Sequence, residues 1–432
     1  MAFHLEIILE SELQTLIDFI KTTQNHKTYV QYGVYIESCA KRLGWHEVLD
    51  SKLYEPLELI EAKKRITNLK FIDVSETVKA ISNAFSKVEL SSNDLLLSGI
   101  LDVEALDTSN SPIKKALQEI RLWDNVKETL LLKRLPDGLK KFIIKQVCTG
   151  NALIPDDNDC LLYRKTQILI DSIKRLWRIP SVQSCSTKVN ESSWAHYVLQ
   201  PIVNFIVDFK ESDICIRWDT ITSKASLERN NEKGPIKKND IYGVYEIGGH
   251  FDLELILGEI SNGPFNRSSQ VQVHIKKDRS KLSKCGKDAL NFVINKYAKS
   301  HNYDDLVKMQ EIKIYLLHAH ETVLELFIID RRIAPLYRMR KLGTVETPFL
   351  ENSEKKLIKL IQLLYTLSIH IEENLRLIKE IFNKNLDKDH ISNYSSEDND
   401  NDEGEEECEE ISKMFSFISL IPTYNTPRSS IN

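Results

Sequence analysis

The chain has 432 residues and a formal charge of −5, from 58 Lys+Arg against 63 Asp+Glu. Ten of those acids stand between Glu397 and Glu410, so the rest sets 58 basic residues against 53 acidic ones and is net basic. An apolar fraction of 42% suffices for buried cores, and only 14 Gly and 12 Pro exclude collagen-like or linker-dominated chains.

A length of this order predicts two or three domains, since single cores stop growing near roughly 250–300 residues. The start, Met1-Ala2-Phe3-His4-Leu5-Glu6, has no basic stretch ahead of an apolar run, which argues against a cleaved signal peptide. No apolar run approaches the ~20 residues of a membrane helix. The seven cysteines are odd in number, scattered and without a CxxC pair, so neither a disulfide framework nor a zinc ribbon is expected. These features predict an intracellular protein, nuclear or cytoplasmic, with no membrane partner.

Residues 1–178 read as a helical N-terminal domain, a packing or interaction module with a possible protein partner. Asp73-Val-Ser-Glu76 resembles a capping box, and Ser111-Pro112 an N-cap followed by Pro in the first turn. A helix over about Leu161–Trp177 leads into a Pro- and Ser-containing stretch that marks the first boundary. The pattern then changes. A helix starts after Asn190, with Trp194, Val198, Ile202 and Phe205 on its apolar side and Pro201 bending it. Strands are expected over Asp213–Trp218, Asp240–Ile247, Phe251–Ile260, Ile312–Ala319, Val323–Asp330 and Ile333–Arg340. A helix over Arg279–Ser300 separates the third from the fourth. Helix, three strands, helix, strand defines an α/β core over residues 190–345, α+β overall. C-terminal helices over 346–386 follow, then a disordered acidic tail with an apolar tip at 387–432. That tail is expected to solubilise the chain or to compete with nucleic acid for its basic face.

Gly248-Gly249 punctuates two β-forming runs, which predicts a hairpin. In the register where opposed residue numbers sum to 499, Asp240 faces Glu259, Tyr242 faces Leu257 and Val244 faces Leu255. Opposed Cβ atoms lie only ~4.5–5.5 Å apart, so two carboxylates would converge at the open end of the hairpin. Such a pair calls for a cation, and Mg²⁺ (or Mn²⁺) takes one or two carboxylates plus waters and phosphate oxygens. A basic segment follows, His274-Ile-Lys-Lys-Asp-Arg-Ser-Lys-Leu-Ser-Lys-Cys-Gly-Lys287. Lys277, Lys281 and Lys284 fall on one helix face. Carboxylates beside a lysine face suit phosphodiester chemistry: the metal polarises phosphate and acidifies a water, and ammonium groups offset developing charge.

Asp240…Glu259-Ile260-Ser261, with Glu191 on the helix before and the lysine helix behind, resembles the PD-(D/E)XK nuclease superfamily. The stretches Glu-Leu-Ile-Leu-Gly-Glu-Ile-Ser-Asn-Gly-Pro-Phe and Asp-Arg-Ser-Lys-Leu-Ser-Lys-Cys-Gly-Lys-Asp are similar to a divergent branch of it. The resemblance covers about residues 190–345. It implies a restriction-endonuclease-like αβββαβ core in which Asp240 and Glu259 bind Mg²⁺ with help from Glu191, acting on DNA in preference to RNA. The pattern expects Lys two residues after the second acid, where this chain has Ser261. Lys238, opposite Ser261 in the 499 register, and Lys281 or Lys284 from the helix are the substitutes. Lys276, Lys277, Arg279 and Lys287 are expected to contact nucleic acid. The alternative is a catalytically inactive nucleic-acid-binding or protein-interaction module on the same fold.

His318 and His320 share a strand face, but without a carboxylate or Cys alongside they read as ordinary strand residues. Arg331, Arg332, Arg338, Arg340 and Lys341 are expected either to meet phosphate or to guard an edge strand.

Overall fold

A computed structural model describes residues 65–66, 75–85, 87–88, 95–155, 160–179, 191–207, 214–229, 237–247, 251–261, 269–297, 303–348 and 353–391. Asp73, the Gly248-Gly249 turn and the acidic run lie outside them. The fold is mixed α/β around one seven-stranded mixed sheet.

The N-terminal elements are α1 (Glu76–Phe85), β1 (Ile100–Asp102), α2 (Val103–Thr108), α3 (Pro112–Glu119), α4 (Trp123–Lys127), α5 (Asp137–Thr149) and α6 (Cys160–Trp177). Ser75 Oγ accepts from Val78 N at the start of α1. Ser111 caps α3 as expected, accepting from Ile113 N at 3.3 Å, with Pro112 in the first turn.

The centre begins with α7 (Glu191–Trp194), a π-helical turn over Ala195–Leu199 and α8 (Gln200–Val207). Pro201 has no N–H to return to the preceding turn, and the widened turn, in which Gln200 N reaches Ala195 O, precedes it directly. Then come β2 (Ile214–Thr222), α9 (Lys224–Arg229), β3 (Lys238–Ile247), β4 (Phe251–Ser261), α10 (Ser269–Tyr297), α11 (Tyr303–Met309), β5 (Ile314–His320), β6 (Val323–Ile333), β7 (Leu336–Glu346) and α12 (Glu354–Ile391). The α10 helix starts ten residues before the expected Arg279, and its added turns are amphipathic, with Val271 and Ile275 buried.

The sheet order is β1-β7-β6-β5-β4-β3-β2. Strands β2, β3 and β4 form an antiparallel meander, and β5 runs parallel to β4 after the α10 crossover. Strands β6 and β7 continue antiparallel, and β1 pairs parallel with β7. The seventh strand is therefore three residues from the N-terminal region expected to be helical. The expected boundary near residue 178 does not divide the core either. Helices α5 and α6 share one apolar cluster with β3–β7 and α12, and Trp177 Nε1 donates to Pro348 O at 2.6 Å. Trp194 and Phe205 are buried, as expected.

The hairpin keeps the 499 register only at its open end, with Ile241 facing Gly258, Tyr242 facing Leu257 and Gly243 facing Ile256. An irregularity then shifts the pairing, so Val244 faces Glu254, not Leu255. One extra residue on β4 is the signature of a bulge, which sequence alternation does not announce. At Gly243 an added Cβ would lie 2.7 Å from Ile256 Cβ, so the two strands approach closely beside the shift. At Gly286 an added Cβ would lie 2.9 Å from Ile329 Cγ2 and 3.0 Å from Leu316 Cδ2. That glycine lets α10 lie directly on β5 and β6.

Candidate functional site

The C-terminal ends of the parallel strands β4 and β5 meet beneath the N-terminal half of α10, the usual place for chemistry in an open α/β sheet. On that face stand Glu259 and Ser261 of β4, which pair with His318 and His320 of β5. Glu325 of β6 pairs with His318 in turn. A polar stripe thus crosses three adjacent strands.

Glu259 is 2% exposed, and Lys281 Nζ lies 2.5 Å from its Oε2. Its other oxygen, Oε1, is buried without a hydrogen-bond partner. Burial pushes the carboxyl up to about 9; Lys281 opposes that, while Asp240 and Asp278 add to it. One ammonium thus fails to offset the loss of water around this acid. Lys281 is raised, because Glu259, Asp278 and Asp240 together outweigh its own burial. Asp240 Oδ2 accepts from Ile260 N at 2.8 Å, which ties the start of β3 to the end of β4. The Glu191 carboxyl is raised by its burial and by the negative charge of Asp240 and Asp278. Glu191, Asp240, Glu259, Asp278 and Lys281 therefore form one electrostatic neighbourhood.

Beside it, Ser261 Oγ donates to Asp278 Oδ2 at 2.6 Å and lies 2.9 Å from His318 Nε2. His318 Nδ1 is 3.7 Å and His320 Nε2 3.4 Å from Glu325 Oε2. Lys341 Nζ holds the other oxygen, Oε1, at 2.9 Å. His318, His320 and Glu325 each offer a ligand atom within 4.8 Å of the others, so the cluster can hold a metal ion. The pairing of His318 with Glu325 corrects the reading of the two histidines as residues lacking a carboxylate. The signal was present: a two-residue turn at Glu321-Thr322 places 318 opposite 325.

The other expected residues divide. Lys276 and Lys277 are exposed on the first turns of α10. Arg279 is instead paired with Asp102 at 2.7 Å and stacks over Phe327. Lys284 and Lys287 are buried, because the lysine face of α10 turns onto the sheet. Lys284 is pushed down to about 7 by burial, then by Lys237, against the pull of Asp288. It belongs with Arg229, Lys237 and Asp288, not with Glu259. Lys287 donates to Ser98 O at 2.7 Å and is no phosphate contact. Lys238 is exposed at the start of β3 and pairs in register with Thr222 of β2. Arg338 and Arg340 converge on the buried Asp330, with Glu128 completing the network. Because β7 is flanked by β1 and β6, these arginines guard no edge and are enclosed by counter-ions.

Comparisons with protein-family models, with curated proteins and with solved structures return no match. Among the described residues, no helix is long and apolar enough to cross a membrane.

Proposed function

We propose that the chain is a divalent-metal-dependent phosphodiesterase of PD-(D/E)XK type acting on nucleic acid, DNA in preference to RNA. The observation that carries this reading is the buried Glu259 carboxylate with one oxygen on Lys281 and the other without a partner, amid Asp240, Asp278 and Glu191. The order of helix, antiparallel meander, crossover helix and parallel strand around these residues also supports it.

The donor set is all oxygen, which fits a hard ion such as Mg²⁺ or Mn²⁺ held by Asp240 and Glu259 with Glu191 behind them. When bound, such an ion polarises phosphate and lowers the pKa of a water. The chain itself contributes the rest. Lys281 offsets negative charge at Glu259 and takes the role of the lysine that Ser261 does not supply. Lys276 and Lys277 line the approach along α10, where they attract a phosphate backbone.

The test is incubation of the full chain with plasmid and Mg²⁺ or Mn²⁺, beside Glu259→Gln and Lys281→Ala. Cleavage lost in both variants is the expected result. Salt-sensitive binding without cleavage at any ion concentration refutes the catalytic reading. That outcome would favour an inactive binding module, for which Ser261, committed to Asp278 and His318, is the specific observation.

A further inference from the structure

We propose that His318, His320 and Glu325 form a second metal site that takes a divalent first-row transition ion of the zinc type, distinct from the oxygen-lined site at Asp240 and Glu259. The argument rests on a proton inventory. Asp278 accepts the Ser261 hydroxyl proton at 2.6 Å, so Ser261 Oγ is left as the acceptor for His318 Nε2–H at 2.9 Å. With its proton on Nε2, His318 presents a lone pair at Nδ1. That atom is buried in a residue with no exposed surface, has no hydrogen-bond partner, and points towards Glu325 Oε2 at 3.7 Å. A carboxylate only accepts. Two acceptors then face each other with no donor between them, and His320 Nε2 approaches the same oxygen at 3.4 Å.

A cation between the three atoms resolves this. Zinc–nitrogen and zinc–oxygen bonds of roughly 2.0–2.2 Å in a tetrahedron separate ligand atoms by about 3.3 Å, close to the 3.7 and 3.4 Å from the two imidazoles to Glu325 Oε2, with all three atoms within 4.8 Å of one another. Two imidazoles and one carboxylate favour a transition ion over Mg²⁺. Lys341 occupies Glu325 Oε1, so the carboxylate would bind through Oε2 alone. Three protein ligands leave a fourth position, and the His320 side chain is 15% exposed, so water or a ligand has a route to it. Ser261 and Asp278 behind His318 are the outer hydrogen bonds that fix the ring's tautomer and orientation. Because Asp278 also belongs to the Glu259 neighbourhood, the second site would anchor one wall of the first.

The test uses the full-length chain, freed of metal with a chelator, then titrated with Zn²⁺ against a competing dye and with Co²⁺ by visible absorption. One equivalent of Zn²⁺ is expected, with Co²⁺ bands of imidazole ligation. His320→Ala and Glu325→Gln should each weaken binding about 100-fold or more. Ser261→Ala should weaken it by about 10–100-fold, as loss of outer hydrogen bonds does elsewhere. Glu259→Gln should retain the ion, which separates this site from the proposed phosphodiesterase centre. Urea unfolding midpoints confirm that each variant is folded, and the partly exposed His320 keeps the test open should Glu325→Gln fail. Stoichiometric binding that survives His320→Ala, binding abolished by Glu259→Gln, or no Zn²⁺ uptake by the wild-type chain would each overturn the proposal.

Discussion

Replacement of Lys281 by Met should expose the electrostatic cost held at Glu259. The change keeps the aliphatic stem and removes the ammonium that lies 2.5 Å from Glu259 Oε2. It leaves a carboxyl that is 2% exposed, with Asp240 and Asp278 nearby and one oxygen already without a partner. Breaking a buried ion pair from one side costs ~3–5 kcal/mol. The Lys281 side chain is about one third exposed to water, and Glu259 escapes part of the penalty by taking a proton, so about 2–3 kcal/mol is expected here. Urea unfolding in chelator reads that loss. A divalent ion should then recover more stability in Lys281→Met than in wild type, since it occupies the place of the missing charge. At one hundred times its dissociation constant, an ion contributes ~2.7 kcal/mol to the folded state. Adding Glu259→Gln to the same chain should remove both the loss and the ion response. A Lys281→Met protein as stable as wild type in chelator, or an equal response to Mg²⁺ and Mn²⁺ in the double variant, would refute the reasoning.

Three further outcomes follow from the same structure. Asp330→Asn takes the charge from a fully buried carboxylate that pairs with Arg338 at 2.8 Å and Arg340 at 2.9 Å, and should cost ~3–5 kcal/mol in urea unfolding; a loss below about 1 kcal/mol would contradict it. Burial lowers Lys287 to about 7, so from there upward the folded chain holds fewer protons than the unfolded one. Its cost is complete below pH 7 and shrinks above it, so Lys287, like Lys284, makes stability rise between pH 7 and 8.5, against the opposite slope of the raised Glu259 carboxyl and, higher, of the Cys285 thiol. Lys287→Met should flatten that slope in unfolding curves taken across the window, and an unaltered slope would count against the assignment. Gly286→Val forces a branched side chain against Ile329 and Leu316, so α10 must lift from the sheet, at ~1–3 kcal/mol. Metal-dependent cleavage should fall with it, as Lys281 leaves Glu259; a fully active Gly286→Val protein would sink the linkage.

Much of the core was legible because period-2 and period-3.6 patterns act locally. Alternation and turn residues placed β3 to β7 within a few residues, and the 499 register correctly set Tyr242 against Leu257. The hairpin pattern brought Asp240 towards Glu259, and of the three lysines weighed for the place beside it, Lys281 is the one whose ammonium meets Glu259. The failures share a cause. Lys284 was expected to serve the Glu259 site and Lys287 to contact nucleic acid, yet Gly286 brings α10 down on β5 and β6 and both lysines are buried. The bulge beside Val244 and the pairing of β1 with β7 depend on contacts between distant segments, which no local period encodes.

The sequence by itself therefore determined most elements of the central core, their order and the basic, α/β character of the body, because hydrophobic period and turn chemistry are local. Tertiary structure alone decided which charges meet. It set Asp278 against Ser261, drew Arg279 to Asp102, and closed Asp330 around two arginines. Electrostatic partnership depends on distance and on the exclusion of water, and both are fixed only when the sheet and its covering helix have packed.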